Sequence, residues 1–341
     1  MPAFSIAGTG SYLPPRIVTN TEVGSLIALT PSRIRSLFDI EERRWARRYD
    51  RAQSMPEATL ADLAANAARA ALDDAGVEPS DVDTLVAVSM TSEYVSPPLD
   101  YLVRTKLAIG DVLGFTLHAA CTGLFRAATL VDALLSSEKS HVALIVAADS
   151  ISRYFVFDPS LPKDLRMSMA LYGDGAGAWV TVRPDDALPT VLGTTTVTTK
   201  STDCPGIVFS GPLGGHEPRY DRGLPQIAYH DFRRVLSRGG ELTKKAVDAA
   251  LAITGASYDA VDHLITHQAT GNMRGIATSL GLPADKVRTN IERVGNTLSP
   301  STMILLDELA RGDRLSAGDL LVIASAESAT WSYGGMAVRW R

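Results

Sequence analysis

Cys121 is the residue whose type and surroundings point most directly to chemistry. It follows two small residues, Ala119 and Ala120, and precedes Thr122-Gly123 and an apolar stretch with helical spacing. The pattern predicts a helix that begins directly after the cysteine, where unpaired backbone N–H groups and the helix dipole favour thiolate over thiol. Such a thiolate is a competent nucleophile toward a thioester carbonyl. A lone cysteine is just as often a small buried core side chain, and this segment alone supports both interpretations equally.

Two further polar residues follow predicted elements at places where chemistry could occur. His267 comes directly after the buried-strand pattern of residues 263–266, and α/β sheets usually place ligand chemistry at the C-terminal ends of parallel strands. A partly buried structural histidine without a catalytic role is the alternative. Asn296 lies in the tripeptide Gly295-Asn296-Thr297, which by itself predicts only a turn.

Nucleotide and metal sites are not indicated by the sequence. The glycine-rich run 172–178 loosely resembles a phosphate loop, but no strand–helix unit with a ribose-binding acid follows it. Its glycines instead predict close packing of two backbone segments. Neither Cys121 nor His267 has a second Cys or His at metal-ligand spacing, so we expect no metal and no bound cofactor.

The composition is that of a folded globular chain of 341 residues, 45% hydrophobic and 21% charged. A formal net charge of −5 argues against nucleic acid as the main partner. The two cysteines, Cys121 and Cys204, cannot form a disulfide framework and fit a reducing cytoplasm. The sequence shows neither a signal-peptide pattern nor a long uncharged apolar stretch, so we expect a cytoplasmic protein without a membrane span.

The elements that must position these residues alternate between β-rich apolar runs and Ala-rich helical runs, which is typical of an α/β fold with a largely parallel sheet. One αβ unit recurs, because residues 67–85 align without a gap with residues 246–264. Chance similarity of two common units is the alternative, but the shift (246 − 67 = 179) is near half the chain length and favours duplication. We predict two similar halves, 1–183 and 184–341, joined near residues 183–189. The region 200–226 is predicted to be a functional or partner-facing loop.

Four motifs occur in the order seen in ketosynthase III enzymes: Ala119-Ala120-Cys121-Thr122-Gly123, the run 172–178, His267-Gln268-Ala269 and Gly295-Asn296-Thr297. The chain therefore resembles 3-oxoacyl-(acyl carrier protein) synthase III and its relatives in the thiolase superfamily over nearly its whole length. The resemblance implies a five-layered αβαβα fold built from two duplicated halves. It also implies that Cys121 takes an acyl group from a thioester donor. His267 and Asn296 would face its sulfur and stabilise an enolate or a tetrahedral oxyanion.

The resemblance also implies partners. The acyl donor would be an acyl carrier protein or a coenzyme A thioester, and the protein would be a homodimer with residues 92–98 at the contact or the tunnel wall. An acidic carrier protein would find complementary charge at one of two places, Arg274 or the arginine-rich stretch Arg43, Arg44, Arg47 and Arg48. A solvated surface is the alternative for that stretch.

Some positions depart from the family pattern. Arg33 and Leu37 align with residues that clamp coenzyme A in the family, and Thr270 replaces an asparagine after His-Gln-Ala. Glu327 falls in a segment that is rich in glycine in the family. A glutamate there either acts as a base or points to solvent from a loop, and the sequence favours neither.

These features predict an acyltransferase that loads an acyl group onto Cys121 and passes it to an oxygen or nitrogen nucleophile in a natural-product pathway. Decarboxylative condensation with malonyl carrier protein is nearly as well supported, since the residues aligned with the enolate-stabilising pair are retained. A non-catalytic ketosynthase-like partner protein is disfavoured, because such subunits usually lack the nucleophile.

Overall fold

The computed structural model describes residues 3–47, 58–158, 160–200, 204–209, 227–279, 281 and 284–341. Its strands are β1 (Phe4–Tyr12), β2 (Ile17–Thr19), β3 (Glu42–Arg44), β4 (Thr84–Ser89), β5 (Leu113–His118), β6 (Val142–Asp149), β7 (Gly175–Val182), β8 (Thr190–Thr198), β9 (Ile207–Phe209), β10 (Ile227–His230), β11 (His263–Thr266), β12 (Val287–Arg288), β13 (Leu320–Glu327) and β14 (Ser332–Arg339). Its α-helices are α1 (Asn20–Ile27), α2 (Pro31–Phe38), α3 (Leu60–Ala75), α4 (Leu99–Leu107), α5 (Gly123–Ser136), α6 (Lys163–Leu171), α7 (Phe232–Thr254), α8 (Met273–Ser279), α9 (Ile291–Val294) and α10 (Ser301–Arg311). Short 3₁₀ turns cover Pro79–Asp81, Ile151–Tyr154, Tyr258–Ala260 and Ala284–Lys286. None of the described helices is long and apolar enough to cross a membrane.

The main sheet contains ten strands in the order β12-β11-β13-β14-β8-β1-β7-β6-β4-β5. It consists of two runs of five strands, joined where β1 pairs with β8. In each run the first strand lies at the join and is followed by the fifth, fourth, second and third strands of that run. The strand directions also match, because in each run four strands point the same way and one, β7 or β14, runs antiparallel to both of its neighbours within the run. This repeated topology agrees with duplication, while the boundary at residue 183 stays a prediction.

Helices form three layers around these strands. Helices α3 and α4 cover the first run from outside, and α7 covers the second run. Helices α5 and α10 lie between the runs, where α5 contacts β4, β6 and β8, and α10 contacts β1, β7 and β11. Their apolar side chains, among them Phe125, Val131 and Leu306, are fully buried in the central core. The predicted five-layered α/β fold of the thiolase type is confirmed.

The repeated αβ unit is present in both halves. Helix α3 begins with a capping box between Thr59 and Asp62 and ends at Gly76, which has a φ of 63°. Helix α7 ends in the same way at Gly255, with a φ of 67°. Each of these helices is followed by a 3₁₀ turn and then by a buried strand, which is β4 after α3 and β11 after α7. Glycine occupies both helix ends because it adopts the left-handed conformation without steric cost.

The glycine-rich run 172–178 brings backbone segments close together, as predicted. A Cβ atom at Gly173 would lie 2.1 Å from the carbonyl oxygen of Val294, and one at Gly177 would lie 2.5 Å from Cβ of Met303. Any side chain at these positions would push away helix α10 and the segment that follows α9. Because Asn296 belongs to that segment, the glycines help to set its position.

Candidate active site

One pocket brings Cys121, His267 and Asn296 together. Its empty space, including the open mouth, is about 1060 Å³. The polar side chains in its lining include the three predicted residues, Glu327 and His230. Most of the remaining wall is apolar and includes Leu37, Phe38, Met90, Leu171, Ile207, Phe209, Phe232, Leu236, Leu242, Met273, Leu298 and Trp331. Thr270, which departs from the family pattern, also lines the pocket, whereas Arg33 is exposed on α2.

Cys121 is half-buried between β5 and α5, directly before Thr122, the N-cap residue of α5. The predicted helix start is therefore present, but the predicted resting thiolate is wrong. Burial raises the pKa of the Cys121 thiol well above its usual range, and the nearby charges of Glu327 and Asp149 raise it further. The thiol is therefore neutral at rest and must lose its proton during the reaction.

His267 follows β11 and is held by its backbone, whose N–H donates to the carbonyl oxygen of Ala324 on β13 at 2.8 Å. Burial lowers the pKa of His267 to about 4, so the ring is neutral at physiological pH. Neither ring nitrogen has a hydrogen-bond partner among the described residues, and neither is sealed from the pocket. A neutral imidazole in this state can donate one hydrogen bond and accept another.

Asn296 is fixed by its own backbone and by an internal turn. Its N–H donates to the carbonyl oxygen of Leu171 at 2.9 Å, and its carbonyl accepts from the N–H of Gly173 at 3.0 Å. Its Oδ1 accepts from the N–H of Leu298 at 2.9 Å. Because Oδ1 is occupied in this way, the amide Nδ2 is left to donate into the pocket.

Asp149 is not among the residues predicted from the sequence. Its buried carboxylate connects two segments of the chain next to the candidate site. It is fully buried at the end of β6, and its Oδ1 accepts from the N–H groups of Met90 and Thr91 and from the hydroxyls of Ser89 and Thr91. Its Oδ2 accepts from the N–H and hydroxyl of Ser299, three residues after Asn296. A polar residue directly after a predicted buried strand was the available signal, the same one that marked His267.

Glu327 ends β13 and is buried, with only 3% of its surface exposed. Its Oε2 accepts from the N–H of Thr122 at 3.1 Å and from the Thr122 hydroxyl at 2.8 Å. Its Oε1 accepts from the hydroxyl of Thr330 at 2.7 Å. The alternative of a solvent-facing Glu327 is therefore wrong. A carboxylate, rather than the cysteine sulfur, takes the free N–H group at the start of α5.

The described part of the arginine-rich stretch, Arg43, Arg44 and Arg47, is not a free docking surface. Arg43 is fully buried and donates to the carbonyl oxygens of Val18 and Ala170 and to Oδ1 of Asn20. Arg44 and Arg47 are half-buried and donate to backbone carbonyls. Arg48 lies outside the described residues, as does most of the predicted 200–226 loop. Arg274 is exposed on α8.

The remaining cysteine lies apart from this chemistry. Cys204 is exposed, and its carbonyl oxygen accepts a hydrogen bond from Trp331 Nε1 at 2.9 Å. It does not line the pocket that holds Cys121. The geometry therefore favours Cys121 over Cys204 as the nucleophile.

Comparison with known proteins identifies relatives along the whole chain. Residues 115–199 match the family model of 3-oxoacyl-[acyl-carrier-protein (ACP)] synthase III, and residues 251–340 match the model of its C-terminal domain. A β-ketoacyl-[acyl-carrier-protein] synthase III of Alkalilimnicola ehrlichii is 31% identical over 98% of each chain. Among solved structures, the 3-oxoacyl-(acyl carrier protein) synthase III of Pseudomonas aeruginosa has a TM-score of 0.85 and 27% identity over 99% of this chain and 98% of its own. The priming β-ketosynthase from the R1128 polyketide pathway has a TM-score of 0.84 and 27% identity, with 99% of this chain and 96% of its own covered.

Proposed function

Because the chain belongs to the 3-oxoacyl-[acyl-carrier-protein] synthase III family, we propose that it takes an acyl group from a carrier-protein or coenzyme A thioester onto Cys121 and passes it to an oxygen or nitrogen nucleophile. The observation that carries the choice of acceptor is the buried Glu327 carboxylate in the pocket wall, bonded to the residue next to Cys121. The departures at Arg33 and Leu37 add support for a specialised pathway rather than a housekeeping one.

The first half-reaction follows from the protonation states in the pocket. The neutral thiol of Cys121 attacks the thioester carbonyl, and the neutral imidazole of His267 takes its proton. The oxyanion of the tetrahedral intermediate accepts hydrogen bonds from the Cys121 N–H and from Nδ2 of Asn296. When the donor's carbon–sulfur bond breaks, the imidazolium returns its proton to the leaving thiolate. The product is an acyl-Cys121 thioester.

In the second half-reaction the acceptor needs a base. Among the described residues, Oε1 of Glu327 accepts one hydrogen bond, from Thr330, so it retains a lone pair for the proton of a hydroxyl or amine. The acceptor atom bonds to the acyl carbon, the bond to Cys121 Sγ breaks, and the proton passes through Glu327 to the thiolate. A malonyl thioester would instead bring its own carboxylate toward Glu327, which is electrostatically unfavourable.

Decarboxylative condensation is the second candidate, and a specific observation favours it. The neutral ring of His267 and Nδ2 of Asn296 both have donors left for the oxygen of a thioester enolate. Carbon–carbon bond formation in this family requires that stabilisation. The two candidates share the acyl-Cys121 intermediate and differ only in the acceptor.

A single assay separates these candidates. Purified protein is first acylated with an acyl-coenzyme A, and acyl-Cys121 is recorded by intact-mass spectrometry. The acyl-enzyme is then divided between malonyl carrier protein, simple alcohols, simple amines and buffer. We expect ester or amide product and no CO₂ above the buffer control. CO₂ with a 3-oxoacyl product would decide for condensation instead.

Partners are part of the same proposal. Arg33, Arg233 and Arg274 are exposed on α2, α7 and α8, the helices whose other side chains line the pocket, and they would meet an acidic carrier protein. A second copy would cover the outer edge of β5, which pairs only with β4 among the described strands and carries the exposed Leu113. The exposed side chain of Val95, in the segment 92–98, adds apolar surface for a partner. Sedimentation velocity at micromolar concentration should give a dimer, and a monomer would contradict this part.

A further inference from the structure

A second buried imidazole, His230, lines the pocket and has no part in the proposed acyl transfer. It ends β10, opposite Ile207 of β9, and only 5% of its surface is exposed. Its ring stacks on Phe232, with 3.7 Å between ring centroids and 22° between the planes. The surrounding wall is apolar, and Phe232 in turn contacts Phe38. An imidazole in such a wall has a desolvation cost that a phenylalanine would avoid.

Hydrogen bonds fix which ring nitrogen of His230 carries the proton. Nδ1 lies 2.7 Å from the hydroxyl oxygen of Ser168, a fully buried residue of α6. That hydroxyl donates its single proton to the carbonyl oxygen of Asp164 at 3.0 Å, since a carbonyl can only accept. The Ser168 oxygen therefore accepts from Nδ1–H. Burial lowers the pKa of His230 to about 4, so the ring is neutral and Nε2 has a free lone pair.

Nε2 of His230 lies at the pocket and has no hydrogen-bond partner in the part of the chain that the structure describes. No described residue donates a hydrogen bond to it, and the atom is not sealed from the cavity. A ligand that donates a hydrogen bond to such a buried acceptor binds more strongly. A ligand that covers the acceptor with a methylene group binds more weakly, because the acceptor loses its contact with water. A buried polar group of this kind separates two substrates by a larger ratio of rates than an apolar wall that distinguishes them only by size.

We propose that His230 selects the acyl group: Nε2 accepts a hydrogen bond from a hydroxyl on the acyl chain of the thioester donor, so that hydroxyacyl groups are loaded onto Cys121 in preference to plain alkyl ones. The inference rests on the proposed function, because it assigns the substrate class of the same pocket. The phosphopantetheine arm of the donor also has amide and hydroxyl donors, so the test must separate the arm from the chain.

The test compares matched pairs of coenzyme A thioesters. In each pair one acyl chain has a hydroxyl where the other has a methyl group, and the series moves the hydroxyl along the chain. The rate of acyl-Cys121 formation is measured by intact mass for wild type, His230→Phe and Ser168→Ala. Phenylalanine keeps the shape and the stack on Phe232 but removes the acceptor. The melting temperature of each variant checks its folding.

Wild type should load the hydroxyacyl member of at least one pair about tenfold faster, since one hydrogen bond to a buried acceptor is at stake. His230→Phe should remove this preference, so that the two members of each pair load at the same rate. Ser168→Ala should give an intermediate preference, because the ring loses the bond that fixes its tautomer. It also serves as the second variant if His230→Phe does not fold.

Two results would overturn the inference. One is equal loading of both members of every pair by wild type. The other is an equal loss for both members in His230→Phe, which would assign Nε2 to the phosphopantetheine arm. If no thioester acylates Cys121, the proposed function fails separately. Calorimetric binding of the matched thioether analogues, which cannot acylate, then still shows whether the hydroxyl is preferred.

Discussion

Replacing Glu327 with glutamine should change the two half-reactions in opposite directions. The side chain keeps its size, and its amide oxygen can still accept from the N–H and hydroxyl of Thr122. The amide nitrogen can donate to the hydroxyl of Thr330, which then turns its own proton toward Ser332. What the variant loses is the negative charge beside Cys121 and the proton acceptor for the second step.

The gain in thiol reactivity can be worked from the geometry. Oε2 lies 3.1 Å from the Thr122 nitrogen, and standard bond lengths place the Cys121 sulfur within about 5 Å of that nitrogen. The two charges are thus separated by at most about 8 Å, and at an effective dielectric constant of about 20 they repel by about 2 kcal/mol. Removing this repulsion raises the thiolate fraction about thirtyfold at a given pH. A less basic thiolate is a weaker nucleophile, so the net gain in rate is about fivefold.

The transfer step should respond in the other direction. Loss of a general base typically slows a proton transfer by a factor of about 10² to 10⁴. Glu327→Gln should therefore react about five times faster with iodoacetamide at pH 7.5 and accumulate the acyl-enzyme in the presence of acceptor. Glu138→Gln is the matched control, since this exposed glutamate follows the far end of the same helix, α5, and should change neither rate.

Two outcomes would refute the reasoning. Alkylation that is unchanged or slower in Glu327→Gln would show that the carboxylate does not oppose ionisation of Cys121. Faster alkylation combined with unchanged transfer would show that the charge acts on the thiol but that the acceptor proton goes elsewhere. Condensation with malonyl carrier protein that improves in the variant would support the second candidate function.

Three further predictions concern the nucleophile, the packing and the pH dependence of stability. Cys121→Ala should form no acyl adduct by intact mass, whereas Cys204→Ala should acylate at the wild-type rate; the reverse result would reassign the nucleophile. Gly10→Ala should lower the free energy of unfolding by about 1–3 kcal/mol in urea titrations, because its Cβ would lie 2.3 Å from a carbonyl oxygen of α3. Gly110→Ala, whose Cβ would meet nothing within 4 Å, should change it by less than about 0.5 kcal/mol, and equal effects would contradict the packing argument. Burial lowers the pKa of each pocket histidine from 6.5 to about 4, so the unfolded chain binds more protons and stability falls as pH drops from 6.5 to 4, by up to about 3 kcal/mol per ring. His230→Phe should reduce that loss between pH 7 and pH 4.5, and an unchanged slope would show that the ring is not held neutral.

Helices, strands and helix ends are predicted well from the sequence. The burial and the electrostatic surroundings of individual side chains are predicted less well. The helix after Cys121, the Gly76 and Gly255 helix ends and the α/β layers follow from local sequence patterns, and the structure has them. These features depend on residues close together in the chain, which a periodic pattern can reveal.

Features that depend on distant partners were missed. Arg43 looks exposed in an arginine-rich run, but carbonyls 25 and 127 residues away satisfy its guanidinium inside the core. The resting state of Cys121 was predicted from the helix dipole alone. Glu327 lies 205 residues from Thr122 in sequence, and its charge opposes that dipole. The domain boundary, the cytoplasmic location and the roles of the three predicted site residues stay predictions.

The pocket takes its candidate reactive groups from both five-strand runs of the main sheet. Cys121 lies between β5 and α5 in the first run, whereas His267 and Asn296 come after β11 and α9 in the second. Neither run alone supplies all three residues, so the proposed catalysis would depend on how the two runs pack against each other. Ser299→Ala removes the hydrogen bond from the Ser299 hydroxyl to Asp149, just before the start of α10. This substitution should therefore lower turnover, although it changes no contact with the substrate.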